Sequence, residues 1–369
     1  MPTKIALSIC IPTFGRPECV ERSLANYQKI IDELHCRSEV QVCISDNNQD
    51  GITKGIVERF MPSLTIKYHQ NDGNLGYDRN SLNSMLMADG EYIHLTSDEN
   101  LFTAEALGSI LERIRKGDLE MLISTDQSKH IVRELNGMTS ITGEELFQYT
   151  LEKHLECCFF IPMKNEVFQR KRLHEIRDEL EATEAIMTAI MVHEAIFIYC
   201  AAKAKTIQLE PRPFSEDTTN VAKMKKIYLQ SQHVLLVHHN HYFLIKACME
   251  HGFITKDTFI SFRYAFRNYL VNDLVKARTK VHPSIAESEC RKMREHLAFL
   301  KDEIDSLDRP AMDLSIRLLL IPWLPYHWIY QASQAGRKAM GKERPNQCRA
   351  PEKGETNTID YLSATKKVM

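Results

Sequence analysis

The stretch EYIHLTSDENLF (residues 91–102) ends an apolar run with three oxygen-bearing side chains, Asp98, Glu99 and Asn100. Unpaired carboxylates beside a buried strand are costly, so these two need a cation or another partner. Carboxylate and amide oxygens are ligands for divalent cations such as Mg²⁺ and Mn²⁺. The triplet is therefore a candidate cation site, and a solvated acidic turn is the alternative.

Two further polar clusters end apolar runs in the same way. Residues 12–18 (PTFGRPE) follow IALSICI, and residues 46–50 (DNNQD) follow EVQVCIS. The second cluster, with the glycine that follows it, is typical of a turn when it stands alone. In an open parallel sheet, however, ligands bind beyond the carboxyl ends of the strands, where such loops converge. Three polar clusters at that edge would together form a binding site.

The elements that must position these clusters alternate between strand and helix patterns over the first 125 residues. Runs such as IALSICI suit strands buried on both faces, and apolar residues after Pro17 recur at helical spacing. Another helix is predicted over residues 79–88, and the pattern becomes mostly helical from about residue 140. The order predicts an α/β fold, a mostly parallel sheet flanked by helices, followed by a C-terminal helical region.

Composition argues against several functional classes. The chain has 369 residues, of which 43% are apolar and 26% charged, and a net charge of -2. Such a chain is globular and has no long-range attraction to nucleic acid. Ten cysteines without a C-x-x-C pair indicate reduced thiols rather than a disulfide framework or a zinc site. With no signal-peptide pattern and no apolar stretch long enough to span a bilayer, we expect a cytoplasmic protein.

Other common sites are not indicated. The loop NDGNLG (residues 71–76) lacks the strand–GxGxxG–helix context of a dinucleotide site and the Gly-Lys-Ser/Thr ending of a P-loop. Four histidines fall in HVLLVHHNHYF without a further ligand at matching spacing, so we interpret them as surface or packing residues. They are His233, His238, His239 and His241.

Three segments in order resemble the nucleotide-sugar-binding half of family 2 glycosyltransferases, which have the GT-A fold. They are LSICIPTFGRPECVERSL, VCISDNNQDG and NDGNLGYDRNSLNSMLMADGEYIHLTSDENLF. Within that family the likeness is to the abequosyltransferase-like branch of bacterial surface-polysaccharide enzymes. The resemblance covers residues 4–125 well and residues 155–215 weakly.

The resemblance implies an inverting glycosyltransferase. It would move a sugar from a nucleoside-diphosphate sugar to a hydroxyl of a lipid-linked surface glycan such as O-antigen or capsule. A non-catalytic nucleotide-sugar-binding or scaffold protein of the same fold is the alternative. A sugar nucleotidyltransferase ranks below both, because the early glycine-rich loop with arginine and lysine that such chemistry uses for a triphosphate is missing.

The resemblance also implies a donor site. Pro12 and Thr13 would place backbone atoms against the nucleotide base, Asp46 would accept a hydrogen bond from the base imide, and Asp98 would meet the ribose or the donor sugar. A helix start and an arginine suit the phosphates on the far side of the donor. The residues there are Asn74, Gly76, Asp78, Arg79 and Asn80, and Arg16 and Glu99 complete the predicted donor-binding set.

The third position of the acidic triplet would bind the divalent metal, Mg²⁺ or Mn²⁺, that bridges the two phosphates. That position is Asn100, whose neutral amide attracts a cation less than a carboxylate does. Three outcomes follow. The metal binds through Asn100 with help from Asp98 or Glu99, or Arg79 or another cation neutralises the diphosphate, or the donor site does not function.

An inverting transferase needs a general base for the acceptor hydroxyl. In the family this base is an acidic residue that opens a helix ahead of a late strand, and counting back from IQLEP leads to MVHEA. Glu194 is the predicted base, His193 is next and Glu184 is third, and Asp98 belongs to the same predicted catalytic set. The alternative is that Glu194 and His193 form only the polar side of an amphipathic helix.

The domain prediction places the transferase domain at residues 1–215, a helical subdomain at residues 216–310 and an apolar and basic tail at residues 311–369. The tail contains IRLLLIPWLPYHWIY (residues 316–330), which is too short and too broken by proline to span a membrane. With its aromatic residues and the basic residues that follow, it fits either a bilayer surface or the body of the enzyme. The first version predicts a peripheral protein at the inner face of the cell membrane.

Overall fold

The N-terminal elements alternate between strand and helix. β1 (Leu7–Thr13) and β2 (Val40–Asp46) are buried throughout, as their nearly continuous apolar sequences require. α1 (Pro17–Glu33) lies between them with proline at its first position, where the missing N–H leaves no helical hydrogen bond unmade. Its apolar residues recur at helical spacing, so one face of α1 packs on the sheet.

The other elements follow in chain order. They are α2 (Ile52–Phe60), β3 (Thr65–Gln70), α3 (Gly76–Leu86), β4 (Tyr92–Leu95), β5 (Asn100–Phe102), α4 (Ala104–Lys116), β6 (Met121–Ser124), β7 (Ser140–Ile141), α5 (Gly143–Glu152), β8 (Met163–Lys164), α6 (Val192–Lys203), β9 (Ile207–Glu210) and β10 (Ser215–Asp217). Residues 245–250 and 256–263 are also helical.

The structure is a computed structural model. It describes residues 4–124, 138–152, 163–164, 192–210, 214–217, 242, 245–250, 252–263, 291 and 317. The four histidines at 233–241 and the third candidate base, Glu184, lie outside these residues. Among the described residues, no helix is both long enough and apolar enough to cross a membrane.

The main sheet has the strand order β3-β2-β1-β4-β8-β6-β9-β7. The first four strands run parallel, β9 is parallel to β6, and β8 and β7 are antiparallel to their neighbours. β5 and β10 form a separate antiparallel pair. This arrangement confirms the predicted mostly parallel sheet flanked by helices.

Alternation along β1 divides its residues between the two faces of the sheet. Leu7, Ile9 and Ile11 pack in the main apolar core, and Ser8 accepts a hydrogen bond from the Gly90 N–H at 2.9 Å. α3 packs against β1 and β2, and α1 packs against α2 and α4. The helical residues in the core are Val20, Leu24, Tyr27, Ile30 and Ile31 of α1, Ile56 and Val57 of α2, and Ala106, Leu107, Ile110, Leu111 and Ile114 of α4.

α3 begins at Gly76, three residues before the predicted start at residue 79. The Asn74 side chain accepts a hydrogen bond from the Gly76 N–H at 3.0 Å, and Gly76 has a left-handed φ of 79°. Asparagine folds the chain back in this way at turns, and glycine adopts such a φ without strain. The glycine-rich loop therefore leads directly into the helix.

The chain divides into two compact units. One comprises Met1–Thr219 and Leu244–Ser261, and it contains every strand given above. The other comprises Asn220–Phe243 and Phe262–Met369. In the second unit, the rings of Tyr242 and Phe262 pack with their centroids 6.4 Å apart. The boundaries proposed from the sequence at residues 215 and 310 stay predictions.

Candidate active site

The carboxyl ends of β1, β2 and β4 bring the three predicted polar clusters together. Thr13, the last residue of β1, is paired in register with Asp46, the last residue of β2. The Thr13 hydroxyl donates to Asp98 Oδ2 at 2.6 Å, and the Thr13 carbonyl accepts the Asn47 N–H at 3.0 Å. Thr13 is therefore hydrogen-bonded to both of the other clusters. Pro12 lies beside it, buried within β1.

Asp98 is fully buried and has several donors around it. Besides Thr13, Arg16 Nη2 lies 2.8 Å from Oδ1 and the Ser97 hydroxyl lies 3.4 Å from the same oxygen. The Ser23 hydroxyl of α1 donates to the Asp98 carbonyl at 2.8 Å, which ties the loop to the helix. Burial raises the pKa of Asp98 to about 6, while Arg16 and then Thr13 act to lower it.

Arg16 joins the two carboxylates of the acidic triplet. Its Nη1 atom lies 2.7 Å from Glu99 Oε1, while Nη2 contacts Asp98. Partial burial acts to lower the pKa of Arg16, but Asp98 and Glu99 raise it above its ordinary value. The sequence placed Arg16 in the donor site, and its pairing with these acids was not foreseen.

Asn100 opens β5 and is half-buried. The β5–β10 pairing places Asp217 opposite Asn100 in the register, so a residue more than a hundred positions away in the chain lies beside the acidic triplet. Sequence reasoning missed Ser215–Asp217, and the only available signal was the acidic pair after RPF. Among the described residues, no group of three or more His, Cys, Asp or Glu is placed to hold a metal ion.

Asp46 is buried, and each of its carboxylate oxygens accepts a hydrogen bond. Oδ1 accepts the Asn48 N–H at 2.8 Å, and Oδ2 accepts the Tyr68 hydroxyl at 3.0 Å. Burial and the charge of Asp46 raise the pKa of Tyr68, which keeps that hydroxyl a donor. Each oxygen retains a second lone pair for a ligand N–H. Tyr68 of β3 was not predicted.

A network of asparagine side chains joins the edge of the sheet to α3. The Asn71 amide lies 3.0 Å from Ser45 Oγ, 2.9 Å from Asn47 Oδ1 and 3.0 Å from Asn80 Oδ1. Asn83 donates to Asn71 Oδ1 at 2.8 Å. Asn71, Asn47 and Asn83 were missed because asparagine-rich loops are also typical of simple turns.

The same network fixes the start of α3. Asn47 donates to Asn74 Oδ1 at 3.0 Å and to the Gly76 carbonyl at 3.1 Å, and Asn80 donates to the Thr13 carbonyl at 2.9 Å. Asp78 is buried in the first turn of α3, and Arg79 is exposed beside it. The bond from Asn80 holds the first turns of α3 against the end of β1, and a helix N-terminus is suited to an anion.

The predicted base lies on a helix near this region. His193 and Glu194 are the second and third residues of α6, which packs against α3 and α5. The helix itself is as predicted, because MVHEA leads into a helix that precedes the strand β9. The catalytic role of either residue stays a prediction.

Comparison with known proteins finds similarity to glycosyltransferases. Residues 8–171 match the model described as Glycosyl transferase family 2. The chain is 31% identical over 103 residues to abequosyltransferase RfbV of Salmonella typhimurium, covering 27% of this chain and only 30% of that relative. It is 21% identical over 234 residues to the GalNAc(5)-diNAcBac-PP-undecaprenol beta-1,3-glucosyltransferase of Campylobacter jejuni, covering 60% of this chain and 69% of the relative.

Among solved structures, S. aureus TarS 1-349 in complex with UDP-GlcNAc superposes with a TM-score of 0.56 at 13% identity. The match covers 90% of this chain and 92% of TarS 1-349. At this identity the likeness shows a shared fold, and it confirms the GT-A-type architecture that the sequence predicted.

Proposed function

We propose that this chain, whose residues 8–171 match the family model described as Glycosyl transferase family 2, is an inverting glycosyltransferase using a nucleoside-diphosphate sugar. The observation that carries the proposal is the position of Thr13, hydrogen-bonded at once to Asp98 and to the loop that begins at Asp46. Two buried carboxylates beside one strand end suit a ligand with N–H and hydroxyl donors, which a nucleoside provides.

The donor would lie along this edge with its base at Asp46 and its diphosphate toward α3. Asp46 accepts the base imide N–H with a lone pair left free by Asn48 and Tyr68. Asp98 accepts a hydroxyl of the ribose or of the donor sugar. The first turn of α3 and Arg79 face the diphosphate, where backbone N–H groups and a guanidinium both stabilise negative charge.

A divalent cation, Mg²⁺ or Mn²⁺, is the proposed cofactor, held by Asn100 and Asp98. These residues fit the ion when the diphosphate is present to supply the other ligands, because Asn100 is neutral and Asp98 already accepts from Thr13 and Arg16. When bound, the metal neutralises the charge that develops on the leaving nucleoside diphosphate.

The acceptor hydroxyl requires a base on the face of the sugar opposite the leaving group, and that geometry inverts the anomeric centre. Glu194 is the proposed base and His193 the second candidate. Glu194 takes the hydroxyl proton as the acceptor oxygen bonds to the anomeric carbon and the bond to the diphosphate breaks.

We propose a lipid-linked surface glycan as the acceptor. The name of the Campylobacter relative includes an undecaprenol diphosphate carrier, and the Salmonella relative is named an abequosyltransferase. A lipid-linked acceptor would place the enzyme at the inner face of the cell membrane, with the tail at residues 316–330 against the bilayer surface.

The test uses the purified full chain. Titration with UDP, GDP, CDP and dTDP by calorimetry identifies the nucleotide, and the matching sugar nucleotides are then incubated with lipid-linked glycan acceptors, Mg²⁺ and Mn²⁺. We expect one nucleoside diphosphate to bind and one sugar to be transferred with inversion. If no nucleotide binds and no sugar is transferred, the proposal is wrong.

A cell-based assay separates a catalytic protein from a scaffold. Asp98→Ala removes a proposed contact to the nucleotide-sugar donor, so we expect surface-glycan assembly to stop. Assembly that continues at the wild-type level, with the variant present at normal abundance, would show a non-catalytic role.

A further inference from the structure

Asn71, the residue that follows β3, lies where β2, β3 and α3 meet. It is 2% exposed, and its backbone N–H donates to the Asp46 carbonyl at 2.8 Å. We infer that Asn71 is a positioning residue for the nucleotide: it touches no ligand itself, and it sets where the start of α3 lies relative to Asp46. This role depends on the proposed function, because it concerns the two ends of the site that a nucleoside diphosphate would span.

The Asn71 side chain is hydrogen-bonded through both its nitrogen and its oxygen. The nitrogen lies 2.9 Å from Asn47 Oδ1 and 3.0 Å from Asn80 Oδ1. The same nitrogen lies 3.0 Å from Ser45 Oγ, and the oxygen accepts from Asn83 at 2.8 Å. A buried amide is stable only when its polar atoms are bonded in this way, and a fully bonded network makes its surroundings rigid.

Two of these bonds lead to α3. Asn47, which accepts from Asn71, donates to the Gly76 carbonyl at 3.1 Å. Asn80 accepts from the same amide and donates to the Thr13 carbonyl at 2.9 Å, which ties the second turn of α3 to the end of β1. Asn71 therefore holds both the first residue of α3 and its second turn, in each case through one intervening asparagine.

The end of the site at Asp46 is held independently of the Asn71 side chain. The bond between Asn71 and the Asp46 carbonyl comes from the backbone, so it survives a change of side chain. The Asp46 carboxylate also keeps its bonds from Asn48 and Tyr68. Loss of the Asn71 amide should therefore shift α3 and leave the base contact in place, and a ligand would lose the benefit of preorganised phosphate contacts only.

A purely structural role for Asn71 makes a different prediction. If the network only stabilises the fold, its loss lowers the free energy of unfolding and leaves the affinity of the folded protein unchanged. If Asn71 positions α3, the affinity falls even where the variant is fully folded. The loss should then be larger for a nucleoside diphosphate than for the monophosphate, which lacks the second phosphate.

The first experiment compares the wild type with Asn71→Ala by calorimetry, at a temperature where circular dichroism shows both to be folded. UDP, GDP, CDP and dTDP identify the nucleotide that the wild type binds. The matching monophosphate is then titrated directly or by its displacement of the diphosphate. We expect Asn71→Ala to bind the diphosphate about tenfold more weakly, and the monophosphate within about twofold of the wild type.

The possible results separate the role of Asn71 from the proposed function. Wild-type affinity of Asn71→Ala for the diphosphate, or equal losses for the two ligands, would overturn the inference and leave the proposed function intact. If the wild type binds none of the four diphosphates, the proposed function itself fails.

Ile110→Val is the control for stability. Ile110 is fully buried in α4 and takes no part in the network, and loss of one methylene group from the core lowers the free energy of unfolding. This variant should bind both nucleotides as the wild type does. If it also loses about tenfold in affinity for the diphosphate, the loss follows stability rather than position, and the inference is wrong.

Asn83→Ala provides the test if Asn71→Ala fails to fold. Asn83 is only half-buried, and it donates to the Asn71 oxygen at 2.8 Å. Without that donor the Asn71 amide is no longer held in one orientation, so its bonds to Asn47 and Asn80 weaken. We expect the affinity for the diphosphate to fall about threefold and the affinity for the monophosphate to stay constant. An unchanged affinity for the diphosphate counts against the inference.

Discussion

Single residues at the carboxyl edge of the sheet are held in place before any ligand binds. Asp46 has a hydrogen bond at each carboxylate oxygen, and Asp98 is fixed by Thr13 and Arg16. Such fixed donors and acceptors need little rearrangement when a ligand arrives, which is the usual basis of tight binding by a small polar site. The loss of one hydrogen-bond acceptor should therefore mainly lower the affinity for the ligand.

Asp46→Asn tests the base contact. An amide retains one oxygen, and its NH₂ group would meet the donors Asn48 N–H or Tyr68 hydroxyl, so the base loses a carboxylate acceptor. We expect the affinity for the bound nucleoside diphosphate to fall about 10- to 100-fold by calorimetry. Asp50→Asn, an exposed substitution in the same loop, should leave the affinity unchanged. Wild-type affinity in a folded Asp46→Asn protein would exclude the contact.

Glu194→Gln tests the general base. Glutamine keeps the shape of the side chain but cannot take a proton, so kcat should fall about 10²- to 10⁴-fold while nucleotide affinity stays constant. Rates are measured under saturating donor and acceptor. Glu112→Gln on the exposed side of α4 is the control. A kcat within twofold of the wild type would show that Glu194 is not the base, and His193, the second candidate, would then be tested.

At this scale the sequence predicted residues that the structure brings together at the sheet edge, and it missed the residues that hold them there. Asp98, Thr13 and Asp46 could be predicted because each follows an apolar strand, and strand ends of a parallel sheet meet at one edge. Tyr68, Asn71 and Asn83 could not. Their importance comes from hydrogen bonds across strands and helices, and nothing in their local sequence distinguishes them from ordinary strand and turn residues.

At the scale of elements, the positions of α3 and β4 depend on how closely the turn that connects them, which contains Gly90, packs against β1. The Gly90 N–H donates to the Ser8 hydroxyl, which in turn lies 2.8 Å from the Gln41 side chain. The Gln41 amide continues to Asp89 at 3.0 Å. This polar cluster, in which Ser8, Gln41 and Gly90 are buried, sets the start of β4, and β4 leads to Asp98.

Gly90→Ala should disturb the turn that leads into β4. A Cβ atom at Gly90 would lie 2.6 Å from the Ser8 N atom and 2.8 Å from Ser8 Oγ, closer than real side chains approach. We expect the free energy of unfolding to fall by about 1–3 kcal/mol, measured by urea denaturation. Gly73→Ala is the control, since its Cβ would meet nothing within 4 Å. Equal stability of both variants would mean that the turn adapts freely.

Element order was predictable from periodicity, whereas the β5–β10 pair was not. The alternation of apolar strands and amphipathic helices gave β1 to β4 and their parallel arrangement. Ser215–Asp217 reach β5 across more than a hundred intervening residues, and a three-residue strand carries too little pattern to reveal its partner. The sequence therefore did not show that Asp217 lies opposite Asn100.

For the whole molecule, the buried His94 should make the free energy of unfolding depend on pH. Burial lowers the pKa of His94 to about 3, and its ring packs against Phe102 and Phe214 with centroids 4.9 and 5.9 Å away. In the unfolded chain the same group titrates near its ordinary value of 6.5. Between these values the unfolded state binds the extra proton, so stability is complete above pH 6.5 and declines as the pH falls toward 3.

The expected slope from His94 is at most about 1.4 kcal/mol per pH unit. Urea denaturation at several pH values measures it. His94→Leu should show a shallower decline over the same range, while His69→Leu, at an exposed position of β3, should follow the wild type. Identical pH profiles for His94→Leu and the wild type would show that other groups govern acid sensitivity.

The tail that contains residues 316–330 is the segment that we expect to bind the protein to a membrane surface. Residues 316–330 combine Trp323 and Trp328 with apolar residues, and basic residues follow, a composition suited to an anionic bilayer surface. Truncation after Asp313 should release the protein from phosphatidylglycerol vesicles in a sedimentation assay. The full-length double variant Trp323→Ser, Trp328→Ser keeps the chain length and should also bind less. If the tail instead packs on the enzyme, truncation would lower the melting temperature and leave vesicle binding unchanged.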